Sequence, residues 1–141
     1  MDIDGHCLCG DITWRAKIDP EKVGICHCTD CQINSATAFR YAVMVPAGDF
    51  ELLSGELKVY LKTAESGNRR ALSFCPRCGT SIHGGDVGES AFYSLRLGNC
   101  RQRHELRPRT QIWCRSAVPW ADDVGDIRKF ETQGRRPGAA R

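Results

Sequence analysis

Phe74-Cys75-Pro76-Arg77-Cys78-Gly79 is the stretch from which the rest of the chain is best read. In a C-P-x-C-G turn both thiolates face one metal and backbone N–H groups point at sulfur, while the closing glycine supplies the positive φ that leaves the turn. The competing reading is a thioredoxin-like redox pair, but that wants a C-x-x-C opening a helix in a βαβ unit. Gly79-Thr80-Ser81-Ile82-His83-Gly84 is not a helix start. Two other tight groups accompany the turn: the pair Cys7-Leu8-Cys9, and the triplet Cys26-His27-Cys28-Thr29-Asp30-Cys31.

Seven clustered cysteines divide as four plus three. A structural zinc is closed by four protein ligands, whereas a catalytic zinc commonly has three and keeps one position open. The pairs Cys7/Cys9 and Cys75/Cys78 would make a closed four-thiolate site that ties residue 7 to residue 78. Cys26, Cys28 and Cys31 would then leave an open fourth position. The opposite split, with the triplet completed by a histidine, is the alternative. His27 lies between two ligands, so in an extended segment its side chain points away from a metal shared by Cys26 and Cys28. The same alternation applies to His6, whereas His83 lies close enough after Cys78 to complete either site. His104 sits among arginines as a surface residue. Cys100 and Cys114 have no partner at ligand spacing and read as buried small hydrophobes.

Composition agrees with metal chemistry in a reducing compartment. The chain has 141 residues and nine cysteines, an odd number that cannot pair off completely into disulfides. Its amino-terminal Met1-Asp2-Ile3-Asp4-Gly5 lacks the basic and apolar regions of a secretory signal, and no apolar run approaches the ~18 residues of a membrane span. A cytoplasmic protein with neither a membrane nor a nucleic-acid partner is therefore expected. From Arg128 onward five basic residues and one acid carry +4, leaving −1 for residues 1–127 of the chain's +3. We expect one domain over residues 1–131 and a basic, disordered tail over residues 132–141. Arg101, Arg103, Arg107 and Arg109 form a second basic cluster. It has no interleaved aromatics and reads as a solvated loop rather than a nucleic-acid surface.

Alternation points to strands. Ile12, Trp14, Ala16 and Ile18 alternate with polar residues until Asp19-Pro20, and Phe39, Tyr41, Val43 and Val45 do so until Pro46. Phe50–Leu53, Leu57–Leu61, Arg70–Phe74, Tyr93–Leu97 and Thr110–Cys114 are further short strands, with a flexible Gly84–Gly88 between. One helical turn is expected after Thr29. Val118–Asp126 is too rich in Pro, Gly and Asp for a long helix. The expectation is a mainly β fold of antiparallel sheets with zinc-binding loops.

Gly5-x-Cys7-x-Cys9-Gly10, Cys26-His27-Cys28-x-x-Cys31, Phe74-Cys75-x-x-Cys78-Gly79, and Ile112-Trp113 with Trp120 resemble the glutathione-dependent formaldehyde-activating enzyme (GFA) family, which includes relatives of centromere protein V. Phe39-Arg40, Ser66-Gly67-Asn68 and Pro108-x-Thr110-Gln111-Ile112-Trp113 fit the same pattern, so the likeness runs from about Gly5 to Phe130. The resemblance implies a β-tent fold and two Zn²⁺ per chain. By position, Cys7, Cys9, Cys75 and Cys78 match structural zinc ligands, and Cys26, Cys28 and Cys31 match catalytic zinc ligands. It also implies a carbon–sulfur lyase that joins glutathione and formaldehyde into S-hydroxymethylglutathione. Two departures concern the substrate rather than the metals. Ile33 and Ala36 replace a basic residue and a glycine after the triplet, and Asn99-Cys100-Arg101 stands where Leu-Asp-Asp is common.

The residues themselves favour sulfur chemistry at the open site. Three thiolates leave Zn²⁺ with a net charge of −1, so a bound water is acidified less than on three imidazoles, while a fourth, substrate sulfur is well accommodated. Arg40 is a candidate receiver of substrate carboxylates. A non-catalytic zinc-stabilised binding module, using the Arg101–Arg109 stretch or the tail, is the alternative function.

Overall fold

Ten strands, β1 (Asp2–His6), β2 (Thr13–Lys17), β3 (Val23–Cys26), β4 (Arg40–Pro46), β5 (Phe50–Ser54), β6 (Lys58–Thr63), β7 (Arg69–Phe74), β8 (Ser81–Asp86), β9 (Phe92–Arg96) and β10 (Thr110–Ile112), and one helix, α1 (Thr29–Ser35), make up the computed structural model, which describes residues 1–134. The expected mainly β architecture of antiparallel sheets is present. A three-stranded sheet has the order β1-β2-β5, and a seven-stranded sheet the order β10-β3-β4-β9-β8-β7-β6. Every pairing is antiparallel except β10 with β3.

Register sorts the large sheet into two chemically different faces, because side chains alternate along each strand. Val23 lies opposite Val43, Val43 opposite Leu95, and Leu95 opposite His83. All four are buried, and they form the inner face. The small sheet packs on that face: the Phe50 ring lies 5.1 Å from His83, 5.7 Å from Tyr93 and 6.2 Å from Trp14. Trp14 is fully buried. Burying side chains of this size supplies about 1.5–3 kcal/mol each, the main drive for closing one sheet on the other. The outer face carries a different row. Cys26 lies opposite Arg40, Ala42 opposite Arg96, Ser94 opposite Gly84, and Gly84 opposite Leu72.

Three local readings need correction. The last strand stops at Ile112 because Trp113 adopts a left-handed φ of 58°, so Cys114 begins a 3-10 turn and is exposed, not a buried strand residue. Cys100 is buried, as expected. Gly84 and Gly85 belong to β8 rather than to a flexible loop, because neighbouring side chains close over both: a Cβ on Gly84 would meet Arg96 and Leu72, and one on Gly85 would meet Ser90 and Tyr93. The helix after Thr29 runs seven residues, not one turn. Strands β1 and β3 lie outside the segments that the sequence marks as strands: β1 has Gly5 where an apolar residue would continue the alternation from Ile3, and β3 is only four residues long. Of the basic tail, residues 135–141 lie outside the described residues.

Candidate metal centre and cleft

The four cysteines of the two pairs meet where β1 and β7 end. Cys7 follows β1 directly, and Cys75 follows β7, so the two strands deliver their turns to one place. Their sulfurs lie within 4.8 Å of one another, with Cys7 to Cys9 at 3.5 Å and Cys9 to Cys75 at 3.8 Å. A tetrahedral Zn²⁺ with bonds of ~2.3 Å would space its thiolates about 3.8 Å apart. The chain's own donors surround the cluster. The Ile12 N–H donates to Cys7 Sγ at 3.2 Å, and Thr80 Oγ1 lies 3.2 Å from Cys78 Sγ while accepting from the Leu8 N–H. The Thr80 hydroxyl is the main reason the Cys78 thiol drops to about 5. Gly79 takes the φ of +77° that the C-P-x-C-G turn requires. Arg77 pairs with Asp11 at 3.1 Å across the two turns.

Cys26, Cys28 and Cys31 form the second cluster, again within 4.8 Å. Cys26 ends β3, and Cys28 is the N-cap of α1, its sulfur accepting the Cys31 N–H at 3.4 Å where serine or threonine oxygens usually serve. The helix thus folds Cys31 back over the other two. Protons have to be shared in such a cluster without a cation. A hydrogen bond from Cys31 draws Cys26 down to about 5 against its burial, with the Cys28 backbone and the Arg40 charge assisting, and the same bond pushes Cys31 up. Both groups could hold metal ions, and all-thiol donor sets suit soft cations such as zinc.

No histidine joins either cluster among the described residues. The His27 ring turns away into a buried site, where Nε2 bonds Gln111 Oε1 at 2.8 Å and Phe39 packs edge-on at 5.7 Å. His83 lies in the aromatic core, His6 bonds the Cys7 carbonyl, and His104 is exposed. Gln32 secures the helix by donating to the His27 and Ser116 carbonyls, both at 2.9 Å. Its other end closes on Ala36, which takes a left-handed φ of 53°.

A cleft of about 580 Å³ opens over the triplet, on the outer face of the large sheet. Its walls come from α1, the β6–β7 hairpin and the segment after β10. Two ion pairs link these walls, Lys62 with Asp30 and Arg115 with Glu65. Arg40, Arg70 and Arg96 line the cleft together with Lys62. Only Arg40 of these was singled out in the sequence. Arg96 occupies a polar slot in an ordinary strand alternation, yet it is buried, with Gly84 of the neighbouring strand close to its Nη2. Burial first, then the charge of Arg40, hold the Arg96 guanidinium down to about 10. The other basic cluster is largely occupied: Arg101 pairs with Asp4, Arg109 with Glu21, and Arg103 donates to the Cys100 carbonyl.

The family described as glutathione-dependent formaldehyde-activating enzyme matches residues 2–116. A similar solved structure is the crystal structure of a Rhodobacter sphaeroides protein. It is 18% identical, has a TM-score of 0.53, and the match covers 70% of this chain and 86% of that one; this likeness concerns the fold. No curated protein matches the chain.

Proposed function

From the premise that the chain belongs to the glutathione-dependent formaldehyde-activating enzyme family, we propose that it is a zinc-dependent carbon–sulfur lyase acting on a small-molecule thiol and a small carbonyl, with glutathione and formaldehyde as the reference pair. The observation that carries this reading is the contrast between the clusters. One has four thiols and is pinned between two turns; the other has three thiols and opens into a cleft lined by cations.

Cys7, Cys9, Cys75 and Cys78 would hold a structural Zn²⁺. Cys26, Cys28 and Cys31 would hold a second one with a coordination position left for substrate. When bound there, the ion supplies a Lewis acid that lowers a substrate thiol's pKa and keeps it as the nucleophilic anion. The chain's residues do the rest. Arg40, opposite Cys26 in the sheet, places positive charge where thiolates gather. The Cys31 N–H and the Gln32 side chain hold the triplet loop in one conformation, so its sulfurs need not reorganise when a ligand arrives. In the forward reaction the substrate thiol loses its proton and its sulfur forms the C–S bond. The carbonyl π pair moves to oxygen, which takes a proton to give a hydroxymethyl thioether; the lyase direction reverses these steps.

Residues 1–131 are read as one domain for this chemistry. The site suits the cytoplasm, where reducing conditions keep seven thiols available as ligands. No helix among the described residues is long and apolar enough to cross a membrane. The test is exchange NMR on glutathione with formaldehyde. Wild type should accelerate adduct exchange over buffer and carry two zinc equivalents. Cys28→Ser should lose the acceleration and one equivalent. Full zinc with no acceleration would favour a zinc-stabilised binding module instead.

A further inference from the structure

The four cations of the triplet cleft are of two kinds. Lys62 and Arg70 already face acids, Asp30 and Asp86. Arg40 and Arg96 have no carboxylate partner among the described residues, and the Nε of each is buried without a hydrogen-bond acceptor. Arg96 is the more unusual of the two. It is 8% exposed, and its one side-chain hydrogen bond among the described residues runs from Nη1 to Ser94 Oγ at 3.1 Å. A guanidinium has five N–H donors in a planar fork. Leaving a buried charge this poorly matched is costly, and such groups are normally completed by a partner.

The three sulfurs do not complete it. None accepts a hydrogen bond from Arg96, so the cysteines can balance its charge at a distance but not fill its donors. The neighbouring strand also leaves the guanidinium room. Gly84 lies opposite Ser94, and a Cβ there would stand 3.2 Å from Arg96 Nη2 and 3.3 Å from Leu72 Cδ2. Once a substrate thiolate joins a three-thiolate zinc, its −2 balances the two guanidinium charges, so it is the unfilled N–H donors rather than net charge that call for an acceptor. A carboxylate matches the planar fork through two parallel bonds.

We propose that Arg96, with Arg40 beside it, receives a carboxylate of the thiol substrate and thereby selects acidic thiols over neutral ones. The proposal rests on the thiol-binding reading of the triplet and adds the residue that sets specificity. It calls for a substrate in which sulfur and carboxylate belong to one small molecule, so that both ends are held at once and the sulfur is oriented.

The experiment is calorimetric titration of the zinc-loaded protein with glutathione and with glutathione diethyl ester. Wild type should bind the acid about 10- to 100-fold more tightly than the ester, the range of a charge-assisted pair. Arg96→Gln should remove most of that preference, with ester affinity within about twofold of wild type and zinc content unchanged. Gly84→Ala retains every charge but moves the guanidinium by a few tenths of an ångström, and should weaken the preference in part. It supplies the same readout if Arg96→Gln does not fold. Equal binding of acid and ester by wild type would overturn the proposal. So would a wild-type ratio in Arg96→Gln, or loss of the triplet zinc in that variant, which would make Arg96 a counter-charge to the thiolates. If adduct exchange is not catalysed while the Arg96-dependent preference stands, the lyase reading fails and this one survives. Catalysis by a protein indifferent to the ester fails this one alone.

Discussion

Emptying the two proposed zinc sites should damage the protein in unequal ways, and loop length says by how much. Cys9 and Cys75 are 66 residues apart, so a metal between the pairs closes a long loop in the unfolded chain. Cys26 and Cys31 are only five apart. Loop-closure entropy grows as (3/2)RT ln n, so the longer closure is worth about 2 kcal/mol more. The whole disulfide-like constraint of the long loop is about 4 kcal/mol, a large part of the ~5–15 kcal/mol that holds a domain folded. Cys75→Ser and Cys28→Ser should each lose one zinc equivalent by elemental analysis. In urea unfolding at neutral pH, Cys75→Ser should fall below Cys28→Ser by about 2 kcal/mol. The relation to function should be reversed, with Cys28→Ser inactive though folded. A Cys28→Ser variant destabilised as much as Cys75→Ser, at equal zinc loss, would refute the assignment of a closing role to the four-cysteine site.

Two further outcomes follow from single residues. Ala36 takes a left-handed φ at the end of α1, a conformation that costs an L side chain about 1–2 kcal/mol; glycine gives back ~0.4–1 kcal/mol in the unfolded chain. Ala36→Gly should therefore raise stability by up to about 1 kcal/mol, and a lowered urea midpoint would contradict it. His83 is held at about 4 against 6.5, by burial first and by the Arg96 charge second. A lowered histidine pKa means that the neutral ring is favoured by folding, so its contribution is full above pH 6.5, shrinks as pH falls and is gone near pH 4. At ~1.36 kcal/mol per unit it amounts to at most about 3 kcal/mol. The stability gap between wild type and His83→Gln should narrow steadily from pH 7 to pH 5; a gap independent of pH would exclude His83 as the titrating group.

What could be read from the sequence was what short spacing encodes. The triplet lies within six residues, and Cys75 and Cys78 share a turn, so local geometry alone brings those thiols together. The alternation through Tyr41, Val43 and Val45 likewise marks a half-buried strand before any partner is known. Residues whose role depends on remote chain were not legible. Arg96 looks like an outward polar residue of β9, yet it is buried, with Gly84 of the next strand close to its Nη2 and the charge of Arg40 nearby. Gly84 and Gly85 carry a turn signal in any local reading, yet they are strand residues because Arg96, Leu72 and Tyr93 fill the space above them. Cys114 leaves the strand pattern for a different reason: the left-handed turn at Trp113 has no glycine or asparagine to announce it. Ala36 departs from the family pattern in sequence, but only the helix terminus shows that it stands where φ is positive.

The parallel pairing of β10 with β3 sets a timetable for synthesis. The triplet segment depends on residues made much later: the His27 N–H bonds the Ile112 carbonyl, and its ring bonds Gln111, 84 residues downstream. At about 5–20 residues per second, a ribosome takes roughly 4–17 s to supply that last strand after the triplet is made. During that interval β3 can pair with β4, but the three thiols lack β10 on the other side and the Ser116 carbonyl that anchors Gln32. The nascent chain therefore holds three clustered thiols for several seconds before the strand that completes their surroundings can dock.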